Sequence, residues 1–114
     1  MQLHWVKSTS GVWLGLRTVN LSSVSTEGVY IIWHGGQSPR VVRVGQGDIA
    51  TRLTAHRADQ AVLHYEQQGT LFVTWADVGV LARDGVERYL AERHRPLVGD
   101  RFPQAVPIAV NDPW

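Results

Sequence analysis

Residues 28–33 read GVYIIW, residues 40–47 read RVVRVGQG, and residues 48–57 read DIATRLTAHR. The first two are β-branched and aromatic runs, and HGGQSP between them supplies the glycines and proline of a turn. They predict an antiparallel hairpin with Gly35, Gly36 and Pro39 in its connection. Asp48 then stands where a helix N-cap accepts a hydrogen bond from an otherwise orphan backbone N–H, so a helix is predicted to begin at Ile49. At ~100° per residue, Ile49 and Leu53 share its apolar stripe, with Arg52 and His56 one turn apart just beside it. An arginine and a histidine therefore project along the line where helix meets sheet, and a groove can form there.

Further along, TLFVTWADV (70–78) is a third strand candidate that ends near Asp77. Beyond it Val78, Leu81, Ala82, Gly85, Val86, Tyr89 and Leu90 keep the spacing of one helix face until Pro96 stops it. Gly79 and Gly85 each cost roughly 1 kcal/mol relative to alanine inside a helix, which leaves its start open. Glu87 lies at the border of this apolar face, beside Val86, Leu90 and Ala91. The tail RFPQAVPIAVNDPW either adds an edge strand at 108–110 or wraps the surface. Residues 1–27 hold scattered aromatics and a Ser/Thr-rich loop, and their pattern places no element. The fold class read from this order is α/β (α+β): one domain with a small, mainly antiparallel three-stranded sheet flanked by helices.

Composition narrows the function. A chain of 114 residues has room for one core, and no apolar run approaches the ~20 residues of a membrane span. The N-terminal stretch lacks the basic, apolar and small-residue parts of a secretory leader, so a cytoplasmic protein without a membrane partner is expected. The absence of cysteine excludes disulfides and thiolate zinc sites, leaving carboxylates and histidines for any metal. His4, His34, His64 and His94 show no spacing that groups them for zinc. The net charge of +1 argues for no polyanionic partner by itself. Of the eleven basic residues, however, all but Lys7 are arginine, and Arg40, Arg43, Arg52 and Arg57 crowd one segment against the single acid Asp48. Arginine's planar fork suits phosphate, although genomic base composition produces the same bias.

The order strand, strand, helix, strand, helix carries GVY at 28–30, RVG at 43–45, IATRLTAH at 49–56 and ERYLAERHRP at 87–96. Over residues 21–100 the chain resembles the GIY-YIG nuclease superfamily, with GVY standing for GIY and RVG for YIG. The resemblance implies a nuclease that hydrolyses DNA phosphodiester bonds. Tyr30 would activate water for in-line attack, Arg52 would stabilise the pentacovalent phosphate, and Glu87 would bind magnesium or manganese. His56 would sit near the nucleophile or leaving group, and Arg43 would take the electrostatic part of the motif's second tyrosine. Gln46 stands where the family often has lysine, and Gly99 where it often has asparagine. Gln46 is expected to touch nucleic acid together with Arg40 and Arg57. The expected partner is nucleic acid, DNA ahead of RNA, with specificity supplied by a homodimer or a protein partner. The departures at Arg43 and Gln46 motivate a second expectation, a catalytically weak or inactive module of the same fold that binds nucleic acid or a protein.

Simpler roles stand beside these. Tyr30 suits a buried strand position with its hydroxyl at the rim, Arg52 and His56 suit a solvated helix face, and Glu87 suits an ion pair with Arg83 one turn earlier. Arg88, Arg93, Arg95 and Arg101 suit a solubilising basic face, and Trp114 suits either stacking on a base or packing on its own domain. The geometry expected of a nuclease site is specific: Tyr30, Arg43, Arg52 and His56 on one wall of a groove, with Glu87 on the other.

Overall fold

The computed structural model describes residues 1–99 and 101–114. In chain order its elements are β1 (Leu14–Gly15), β2 (Glu27–His34), β3 (Arg40–Asp48), α1 (Ile49–His56), α2 (Gln60–Leu63), a 3-10 turn (His64–Gln67), β4 (Leu71–Asp77) and α3 (Val80–His94). The strands form one antiparallel sheet in the order β1-β4-β2-β3.

β2 is paired on both edges and covered on both faces, which is why GVYIIW reads as a continuous apolar run instead of an alternating one. Successive side chains still point to opposite faces. Val29, Ile31 and Trp33 pack with Val86 and Leu90 of α3, whereas Tyr30 and Ile32 pack with Ile49 and Leu53 of α1. The two helices therefore cover opposite faces of the sheet. The predicted hairpin is present, with Glu27 opposite Asp48 and Tyr30 opposite Gly45, and its register shifts between Ile32 and Trp33. Asp48 caps α1, its carboxylate accepting from Thr51 N at 3.1 Å.

One expectation needs correction, and two that stood open are decided. The sheet has four strands, because Leu14 and Gly15 pair with Val73 and Phe72 of β4; two residues are too few to show a periodicity. α3 starts at Val80, two residues after the first apolar position of its stripe, with Gly79 in an extended conformation as its N-cap. The tail makes no edge strand at 108–110 but wraps the outer side of α3, where Ile108 N donates to Gly85 O at 2.9 Å. A Cβ on Gly85 would stand 2.6 Å from the Ile108 side chain, so this glycine gives up helix propensity for a close crossing. Asn111 joins the two ends of the chain, accepting from Leu3 N at 2.6 Å and donating to Leu3 O at 3.0 Å. No helix among the described residues is long and apolar enough to cross a membrane.

β3 is the terminal strand, and the chain that follows α3 covers only its first part, with Leu97 N and Val98 N donating to Val41 O and Val42 O. Past Val42 this chain makes no further backbone hydrogen bond to β3 among the described residues.

Candidate active site

A tyrosine on β2 reaches the sheet edge only if β3 leaves room for it. Gly45, directly opposite Tyr30, does so: a Cβ there would lie 2.2 Å from the Tyr30 oxygen. The ring crosses β3 over this glycine and is 2% exposed. At its end the phenol meets the last residue of α1, with Tyr30 Oη 2.6 Å from His56 Nε2. Ile49 and Leu53, both fully buried, fix the rotation of α1 that aims His56 there.

Around this pair lies a cavity of about 390 Å³ shared by Tyr30, Arg43, Arg52 and Glu87, with Gln46 and Arg101 at its borders. Arg52 passes over Gly47, its Nε 3.0 Å from where a Cβ would stand, and makes no hydrogen bond or ion pair among the described residues. Arg43 lies against Gly99, and its Nε is buried without a partner among the described residues. Glu87 comes from α3, on the other side of the sheet, and is 8% exposed. The groove expected between two walls thus forms at the free edge of β3, the one place where groups from opposite faces can meet.

The protonation states follow from burial and two arginines. Desolvation raises the Tyr30 pKa above its ordinary value of 10.0, and Arg43 and Arg52 pull it back only in part, so the resting residue is a phenol. Burial, assisted by Arg43 and Arg52, lowers the His56 pKa below 6.5, so the imidazole is neutral at pH 7. Asp59 Oδ2 stands 3.5 Å from His56 Nδ1, outside hydrogen-bond geometry yet close enough to favour the proton on that nitrogen. The other oxygen of Asp59 caps α2 through Ala61 N at 3.0 Å, which holds the carboxylate in place. His56 Nε2 is then the acceptor and Tyr30 O–H the donor. Glu87 is raised above the ordinary carboxylate value, mainly by burial and with Asp84 adding to it, against the pull of Gln46, Arg43 and Arg52.

Of the predicted site residues, Tyr30, Arg43, Gln46, Arg52 and Glu87 line the cavity and His56 bonds to its tyrosine. Arg40 and Arg57 are placed elsewhere. Arg57 is turned inward to donate to Leu16 O and Val19 O, tying the N-terminal segment to α1; Arg40 donates to Arg95 O at 3.2 Å at the far end of β3. Nearness in sequence to Arg43 and Arg52 does not bring them to the cavity, because the pleat and the helix turn point them elsewhere. The amide of Gln46 donates to Asp84 Oδ1 at 2.7 Å. Arg83 does not pair with Glu87 but donates to Val78 O at 2.7 Å. Two residues escaped the sequence reading. Asp59, three residues after His56, lies past the end of α1 as the extended N-cap of α2, so no helical spacing points to it, and Arg101 reaches the cavity only because the chain after α3 folds back along β3.

Glu87 is the carboxylate lining this cavity, the group by which it could hold a hard divalent cation. No three His, Cys, Asp or Glu residues cluster among the described residues, so a caged zinc or calcium site is not formed there. Magnesium needs less, since it keeps several waters and is held by one or two carboxylates plus substrate phosphate. A carboxylate that lines a cavity together with two arginines able to face a substrate phosphate is compatible with that requirement. Compared with protein-family models, curated proteins and solved structures, the chain matches none.

Proposed function

We propose that this chain is a divalent-metal-dependent nuclease that hydrolyses DNA phosphodiester bonds, as its resemblance to GIY-YIG nucleases implies. The observation that carries the reading is the 2.6 Å contact between Tyr30 Oη and His56 Nε2 in a cavity that also holds Arg43, Arg52 and Glu87. A phenol with a raised pKa is a poor base alone, but paired to a neutral imidazole it needs no resting phenolate. Water attacks phosphorus and gives a proton to Tyr30 Oη while the phenolic proton moves to His56 Nε2. The scissile P–O bond breaks, and solvent protonates the departing oxygen. Asp59 beside Nδ1 stabilises the imidazolium that forms. Arg52 and Arg43 present permanent positive charge to the phosphoryl oxygens. Glu87 would hold magnesium or manganese, which supplies Lewis-acid stabilisation of the same charge when bound.

The test is cleavage of labelled single-stranded and duplex DNA with magnesium, manganese or EDTA. Cutting that requires metal and disappears in Glu87→Ala and Arg52→Ala is the expected result. Activity unchanged in Glu87→Ala overturns the metal assignment.

One feature favours a second reading, an inactive module of this fold that binds nucleic acid. Arg43 stands in the motif tyrosine's place with its Nε unpartnered, and Gln46, in the lysine's place, is committed to Asp84. DNA binding that weakens steeply with salt, without cleavage under either metal, would select it.

A further inference from the structure

At the opposite end of β3 the molecule has a second cavity, of about 520 Å³, within the range of small-molecule sites. Its walls are Trp13, Trp33 and Trp114, and its polar side is formed by Arg40, Arg93 and His94. The tryptophans meet edge to face, Trp33 with Trp13 at 5.1 Å and with Trp114 at 5.0 Å between ring centroids. Trp114 remains 55% exposed, so it still offers surface for another ring.

An aromatic cavity of this size suits either a cation held over ring faces or a flat ring stacked on them. The charges decide. Lys7 lies 4.3 Å from the Trp13 centroid, and Arg40 and Arg93 line the opening. Asp112 is the one carboxylate side chain bonded to this group among the described residues, and it is already shared by Arg93 and His94. The surplus is positive, which disfavours a cationic guest and favours an aromatic anion. Arg40 is exposed and bonded only to Arg95 O among the described residues, leaving donors for a phosphate.

We propose that this cavity is a nucleobase subsite, which takes one base of a single-stranded nucleic acid against Trp114 while Arg40 holds an adjoining phosphate. The inference rests on the nucleic-acid reading of the first cavity and deepens it. Arg40 and Gly45 are five residues apart on one strand, about 17 Å at the usual rise. At ~3.4 Å per stacked nucleotide that spans about five nucleotides, and fewer for an extended strand. The base contact would thus anchor a strand a few nucleotides from the scissile phosphate, at a site that forms no part of the chemistry.

Deoxyadenosine monophosphate, titrated into the full chain and followed by the indole N–H signals in NMR, tests the subsite without cleavage. The signals of Trp13, Trp33 and Trp114 should move and that of Trp75, packed beneath α1, should not. Trp114→Ala should weaken binding roughly 5- to 150-fold. Arg40→Ala, a surface change, should weaken it and lower the salt slope by about one. Nucleotide shifts confined to the Tyr30–Glu87 cavity, none at all, or preferred binding of a trimethyl-lysine peptide would each overturn the proposal. Because the readout involves no cutting, a loss of the nuclease reading and a loss of the subsite are separable: the first appears only in the DNA cleavage assay, the second only here.

Discussion

The two cavities at the ends of β3 are both lined with arginine, but they treat it differently. At the tryptophan end Arg93 holds Asp112 through two nitrogens, the shorter contact 2.5 Å, and Arg40 is bonded to Arg95 O. At the tyrosine end Arg52 has no partner among the described residues, and Arg43 buries an Nε without one. Leaving a buried donor unpaired costs about 1–3 kcal/mol, which a fold tolerates where another purpose is served. Here the two arginines add to the burial that lowers the His56 pKa and leave positive charge facing the cavity. The tryptophan end pairs Arg93 with Asp112 and so ties the tail to α3; the tyrosine end leaves Arg52 without a partner among the described residues. A strong functional effect is therefore expected from changes at the tyrosine end that barely disturb the fold.

The largest such effect should come from the Tyr30–His56 pair. His56→Ala should lower kcat by about 10²–10⁴, the range of a positioned acid–base group, in single-turnover cleavage of labelled DNA. Tyr30→Phe should lose as much, and the double variant should lose little more, if the two side chains, 2.6 Å apart, pass one proton in sequence as proposed. Losses that multiply in the double variant would mean that they act separately.

These residues were accessible from the sequence for a physical reason. Asp48 fixes where α1 begins, and the 3.6-residue period then determines which way Arg52 and His56 point. β3 likewise begins and ends where its turn residues and the cap put it. What the sequence hides is set by long-range packing. The two-residue β1 exists only because β4 is there to pair with it. Arg57 turns inward because Leu16 O and Val19 O need a donor. The crossing of Tyr30 over Gly45 depends on register, and Arg101 depends on the return of the chain along β3. Local periodicity locates the helix that carries the site, but not the sheet edge where it closes.

Asp59 should have a smaller and more specific effect. Asn is as good an N-cap as Asp, so Asp59→Asn should keep α2 while removing the charge beside His56 Nδ1. Loss of that charge lowers the His56 pKa further, because the carboxylate is one of the influences that raise it. The acid limb of the pH–rate profile should therefore move to lower pH, and the plateau should fall on the order of tenfold as the weaker base accepts the proton less readily. A merely structural role for Asp59 would lower stability and leave the limb where it is.

The smallest effect concerns stability and has the opposite sign. Glu87 is raised above its ordinary value of 4.5 in the folded chain, chiefly by burial. Between the unfolded and folded pKa values the native state binds the extra proton, so stability falls as pH rises through that window, and the full penalty is present above it. Glu87→Gln removes the penalty while retaining the shape. At pH 7 without metal the variant should melt a few degrees higher, the change that about 1 kcal/mol produces in a domain of this size. Below the ordinary carboxylate range the two proteins should melt alike. Adding magnesium should raise the Tm of the parent chain and not of the variant, since a cation that binds only the folded carboxylate stabilises by mass action. Arg43 and Arg52 contribute charge that offsets part of the cost of burying Glu87. Removing Arg52, an exposed side chain that carries no buried unpaired donor, should push the Tm down slightly where removing Glu87 pushes it up.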